Sequence, residues 1–166
     1  MRVLDNYDVT PIVMVRDIHD CMVSLAEHIS RESPEIPWAY FNDAIRTRSL
    51  EYRIDAVVDL VSAWYLKFYA SWVSTRPDAV FRYEDVVLDG PAGVYALLAR
   101  SGLVERDPET FSVANIHQAA EAARGPASRL NVGVSGRGDQ LSAENRKMIR
   151  RFASHYPDVD FGPIGL

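Results

Sequence analysis

The strongest constraint in this chain is the apolar run Pro11-Ile12-Val13-Met14-Val15, which stops at Arg16-Asp17. A short run of this kind, with β-branched side chains, predicts a strand buried on both faces, as in a parallel sheet. Directly after it, Ile18, Cys21, Met22, Leu25 and Ile29 recur at helical spacing and predict a helix over about 18–31. A strand that hands over to a helix within two residues opens an α/β unit. In open α/β sheets, ligands gather beyond the carboxyl ends of the strands. Arg16 stands at that end.

The rest of the chain continues the pattern. Residues 31–38 carry Pro34 and Pro37 and predict a loop. Leu50, Ile54, Val57, Val58, Val61, Trp64, Tyr65, Phe68 and Trp72 draw a long apolar stripe, so a helix is expected over about 49–75 with its aromatics in the core. The alternation in 79–86 predicts a second strand. Helices are expected at about 90–101, closed by Gly102, at about 108–123, and at about 143–155, capped by Ser142. Between the last two lies a Gly- and Ser-rich loop, 125–140. The fold class is α/β, a parallel sheet with flanking helices.

A chain of 166 residues with 48% hydrophobic side chains is long enough for one domain with a real core. Cys21 is the only cysteine, so no internal disulfide can form, which fits a reducing compartment. Residues 1–9 carry charges where the apolar part of a secretory leader would lie, and Asp59 and Lys67 interrupt the longest apolar-rich segment. The expectation is a soluble, cytoplasmic protein without a membrane partner. A net charge of −5 argues against nucleic acid as a partner. Yet residues 124–151 hold seven Lys or Arg against two acids, Asp139 and Glu144, which suggests a local anion site or simply a solvated basic helix.

Arg16 and Ser24 give that suggestion a location. Ser24 lies eight residues past Arg16, on the order of 9 Å along the predicted helix. The planar fork of donors on Arg16 and the Ser24 hydroxyl can converge on one phosphate near the positive end of the helix dipole. Alternatively, Arg16 pairs with Asp17 or Asp20, and Ser24 is an ordinary helix residue.

The segment VMVRDIHDCMVS, 13–24, resembles the 3′-phosphate-binding motif of sulfotransferases that use 3′-phosphoadenosine 5′-phosphosulfate (PAPS). That motif is a strand, then Arg-Asp-Pro-x-Asp, then a serine eight residues after the arginine. Arg16, Asp17, Asp20 and Ser24 fall on it, with Ile18 in place of the proline. Residues 81–103 look like the family's Tyr-Glu-Asp strand and the helix that follows. Residues 129–149 look like its late Gly-x-x-Gly loop and helix, although Asn131-Val132-Gly133 stands where many members carry Arg-Lys-Gly and a usual tryptophan is missing. The three segments occur in the family's order and cover most of 11–166.

The resemblance implies a P-loop-NTPase-like sulfotransferase fold, a single partial domain over 1–166, incomplete on its N-terminal side. The Pro-Lys-x-Gly-Thr type loop that cradles the 5′-phosphosulfate has no counterpart in this sequence. PAPS or its product PAP is the implied cofactor. Arg16 and Ser24 would hold its 3′-phosphate, Tyr83 would lie near the adenine, Gly133 would bring a backbone N–H to the phosphate, and Arg129 or Arg137 would add charge. The implied activity is sulfuryl transfer to a hydroxyl-bearing small molecule or carbohydrate, with little or no turnover expected from these residues alone. A non-catalytic nucleotide-binding or interaction module, self-associating through an exposed sheet edge, is the competing expectation. A nucleotide kinase cousin is a weaker third.

No catalytic residue follows from the sequence. His19, His28, His117 and His155 match no catalytic motif, no residues have metal-site spacing, and Cys21 on the apolar face reads as packing.

Overall fold

The computed structural model describes residues 4, 6, 7, 9–31, 35, 36, 39–122 and 135–166, with the backbone alone at 35, 36, 39, 40 and 88. The molecule is mostly helical with a small parallel sheet, a loosely α/β arrangement. It divides into two compact units: Met1–Val15 with Thr75–Val134, and Arg16–Ser74 with Ser135–Leu166.

In the first unit, β1 (Val13–Val15) pairs in parallel with β4 (Val80–Arg82), Met14 opposite Phe81. The strand predicted at the apolar run is present, but it is not buried on both faces. Val13 and Val15 are buried, whereas Met14 is 43% exposed. Among the described residues the sheet holds two strands, so its pleat has a covered side and an uncovered one.

The second predicted strand is shorter than expected. After Arg82 the chain turns at Tyr83, whose φ and ψ are helical, into a π-helical turn at Glu84–Leu88. Its cause is local packing. Val86 joins Phe81 and Leu97 in a small buried cluster, with Val87, Val94 and Leu98 against it, and strand alternation cannot turn both Val86 and Val87 onto one core. Leu97 and Val94 come from α4 (Pro91–Arg100), which ends where predicted, with Gly102 in the left-handed region. The Arg100 guanidinium lies over the Phe81 ring, 3.8 Å from its centroid, and donates to the Val80 carbonyl.

The helix expected over 108–123 begins only at Val113, and a short helix not expected from the sequence precedes it. α5 (Leu103–Arg106) and α6 (Val113–Ala122) are separated by a turn in which Asp107 accepts the Thr110 N–H at 3.0 Å, a local bond that competes with helix.

In the second unit, α1 (Ile18–His28) and α3 (Leu50–Thr75) supply most of the core. Ile18, Met22, Val23 and Ala26 of α1 are buried, as are Ile54, Val57, Val58, Val61 and Leu66 of α3. Each large apolar side chain so buried contributes about 1.5–3 kcal/mol of hydrophobic stabilisation before entropy is counted. Two arginines close the C-terminal end of α1, where helix carbonyls lack intrahelical donors. Arg53 Nε donates to the Ala26 carbonyl and Arg46 Nε to that of Ile29, both at 2.8 Å. Arg46 belongs to the short helix α2 (Asp43–Arg46).

The region expected as a loop contains a short strand, β2 (Glu35–Ile36), which pairs antiparallel with β3 (Ala39–Tyr40) just after it. The final helix α7 (Ala143–Ala153) starts as predicted, the Ser142 hydroxyl accepting the Asn145 N–H at 3.1 Å. The expectation that every α3 aromatic is core holds for Tyr65 and Tyr69 and fails for Trp64, which is 42% exposed. Among the described residues, no helix is long and apolar enough to cross a membrane.

Candidate functional site

Arg16 and Asp17 lie between β1 and α1, and the backbone of Arg16 is fixed from α3. The Tyr65 hydroxyl accepts the Arg16 N–H and donates to the Arg16 carbonyl, both at 2.7 Å. One side chain thereby satisfies both backbone polar groups of a residue that belongs neither to strand nor to helix. Asp17 then caps α1, accepting the Asp20 N–H at 3.0 Å. Burial works to raise the Asp17 carboxyl, but hydrogen bonds from His19 and the Asp20 backbone outweigh it and hold the group below its ordinary value.

The side chain of Arg16 meets Asp20 one helical turn on, Nη2 to Oδ2 at 3.5 Å. Asp20 is 2% exposed, and its carboxylate also receives two backbone donors from a distant turn. The Gly136 N–H reaches Oδ2 at 3.0 Å and the Gly138 N–H reaches Oδ1 at 2.7 Å. A guanidinium and two glycine N–H groups around one oxyanion are an anion-binding arrangement, and here the anion is the protein's own carboxylate.

Gly138 is held from its other side as well, its carbonyl accepting from Arg146 Nη2 of α7 at 2.7 Å. A Cβ at Gly138 would sit directly on the Cβ of His19, so only glycine lets this peptide approach α1. His19 is buried in consequence. Its Nδ1 lies 3.5 Å from Asp17 Oδ1, and its Nε2 makes no hydrogen bond among the described residues.

Asp20, Ser24 and Glu27 lie at four- and three-residue steps and therefore on one stripe of α1. Asp20 holds the 136–138 backbone and Glu27 pairs with Arg137, while Ser24 is half-buried between them. Of the residues that the sequence nominated, the structure thus gathers Arg16, Ser24 and Arg137 about α1 of the second unit. Tyr83 belongs to the first unit, half-buried at the start of the π-helical turn instead of on a strand, beside Arg82, which faces Glu84 and Asp85. Arg129 and Gly133 lie outside the described residues.

The donors gathered about α1 fit a phosphate in part. Arg16 is positioned, but its charge and that of Arg137 are each met by a carboxylate, Asp20 and Glu27. An incoming phosphate would share Arg16 with Asp20.

Phe41 is fully buried and belongs to the core, and the Trp38 and Tyr40 side chains lie outside the description. A cleft of about 470 Å³ in the second unit is floored by Leu50, Ile54 and Leu141. Glu51, Asp55 and Asn145 are among its polar lining; it includes neither Arg16 nor Ser24. Its Asn145 is buried and donates to Asp55 at 2.8 Å.

The sequence reading missed two participants. Nothing local marks Tyr65 as the anchor of Arg16. The Gly136-Arg137-Gly138 spacing was a usable signal for the second, because two glycines flanking one residue let alternate N–H groups converge on an anion. Comparison with family models, with curated proteins and with solved structures yields no match.

Proposed function

We propose that this chain is a sulfotransferase-like, nucleotide-binding protein of the P-loop-related α/β type. In this reading it holds the 3′-phosphate of PAPS or PAP through Arg16, with Ser24 as the second donor. The observation that carries the reading is the pair of hydrogen bonds between the Tyr65 hydroxyl and the Arg16 backbone, which fixes an arginine where strand passes into helix. PAPS supplies the sulfuryl group when bound, and the acceptor is a hydroxyl on a small molecule or carbohydrate. A cytoplasmic location suits a chain whose only cysteine is Cys21. Calorimetric titration with 3′,5′-adenosine bisphosphate and with adenosine 5′-monophosphate tests the reading. Binding of the bisphosphate alone supports a 3′-phosphate site; equal or absent heats for both refute it.

A second reading is a non-catalytic interaction module derived from the same fold. It is favoured by the Asp20 carboxylate, which already fills the arrangement of donors that a phosphate would use.

A further inference from the structure

The outward face of α3 is unusual for a helix in contact with water. Asp59, Leu60, Ala63, Trp64, Lys67 and Ser71 are all exposed and fall at three- and four-residue steps on one side. Leu60 is 57% exposed and Trp64 42%, and Trp64 stacks on Phe68 with centroids 5.4 Å apart. A face built only for solvent would carry charge at those two positions.

The charges on this face are arranged about its smallest residue. Asp59 lies four residues before Ala63 and Lys67 four residues after it. If a second α3 packs antiparallel with its twofold at Ala63, each Asp59 stands level with Lys67 of the second copy, across a seam the lysine stem can span. Ala63 lets the two backbones approach to about 8–10 Å, the normal range for packed helices. Leu60 and Trp64 of both copies then cover one another. A parallel arrangement would set Asp59 against Asp59 and Lys67 against Lys67, so the charges select the antiparallel one.

We infer that this face of α3 is a self-association surface, and that a second copy of this chain docks on it as an isologous antiparallel pair. The partner is a second copy because the pattern is complementary to its own image: opposite charges at equal distances from a small residue, with apolar side chains between. This surface differs from the sheet edge considered above and does not depend on nucleotide binding.

Sedimentation velocity tests the inference, run up to about 100 μM, where even a weak homodimer is populated. The wild-type chain is expected to dimerise, and Leu60→Asp to remain monomeric with an unchanged circular-dichroism melt. Asp59→Lys and Lys67→Asp alone should each weaken the dimer by about tenfold or more, since each sets like charges across the seam. The double variant Asp59→Lys/Lys67→Asp should recover wild-type association. A monomeric wild-type chain overturns the inference. So does a dimer indifferent to Leu60→Asp, which would use another face, or a double variant no better than the single ones.

Discussion

The Asp20 carboxylate accepts the Gly138 backbone N–H at 2.7 Å across 118 residues of chain. With the Gly136 N–H and the Arg16 guanidinium on its other oxygen, it ties the start of α1 to the turn before α7. Removing this carboxylate strands a half-buried guanidinium and two N–H groups at once. Asp20→Ala should cost about 3 kcal/mol in urea unfolding, the scale for breaking a buried charge pair. Amide exchange at Gly136 and Gly138 should accelerate more than exchange within α7. Unchanged exchange at both glycines would show that Asp20 does not hold the turn.

Gly138→Ala attacks the same contact sterically. The new methyl meets the His19 Cβ, a backbone-proximal atom that cannot swing aside. We expect about 1–3 kcal/mol of destabilisation, the range for overpacking. Gly90→Ala serves as a contrast, since its added Cβ has nothing within 4 Å and only a positive φ of 62° to oppose it. Equal losses from the two would mean that the crowding against His19 is not what Gly138 avoids.

Tyr65→Phe keeps the ring in the core and deletes the hydroxyl. The Arg16 N–H and C=O then lose their partner, at a cost of about 1–3 kcal/mol. If Arg16 binds a phosphate, bisphosphate affinity should also fall in this variant while the fold is retained. A thermal melt with a paired titration separates the two effects. No change in either would remove Tyr65 from the account.

The acid limb of stability should report Asp17. Its carboxyl is held below the ordinary value of 3.8, so on acidification the unfolded chain takes up its proton before the native one does. The stabilisation is present above the ordinary carboxylate range and is lost in the acid window below it, as pH falls through the lowered native value. Asp17→Asn should flatten the dependence of urea midpoint on pH in that window. A slope equal to wild type would assign the acid sensitivity to other carboxylates.

How much of this was legible in the sequence divides along sequence distance. The handover from β1 to α1, the length of α3, the Gly102 stop and the Ser142 cap are written in residues that touch their near neighbours, and all are present. The alternative pairing of Arg16 with Asp20, a single helical turn, was equally readable and is observed. The partners of Asp20, the anchoring of Arg16 by Tyr65 and the pairing of Arg137 with Glu27 connect segments 49 or more residues apart. Periodicity carries no information about such pairings, because it records which face is buried and not against what. The strand that ended early at Tyr83 failed for the related reason that a small cluster around Val86 overrides alternation.

The central claim is that Arg16, set by Tyr65 and Asp20, can still take a nucleotide 3′-phosphate. Its most direct measurement is a titration of 3′,5′-adenosine bisphosphate into wild type and Arg16→Ala, each first shown to be folded. The account predicts saturable binding by wild type and a loss of at least about tenfold in the variant, as for a charge-assisted hydrogen bond worth about 1.5–3 kcal/mol. Equal affinities, or no binding to either protein, would contradict it.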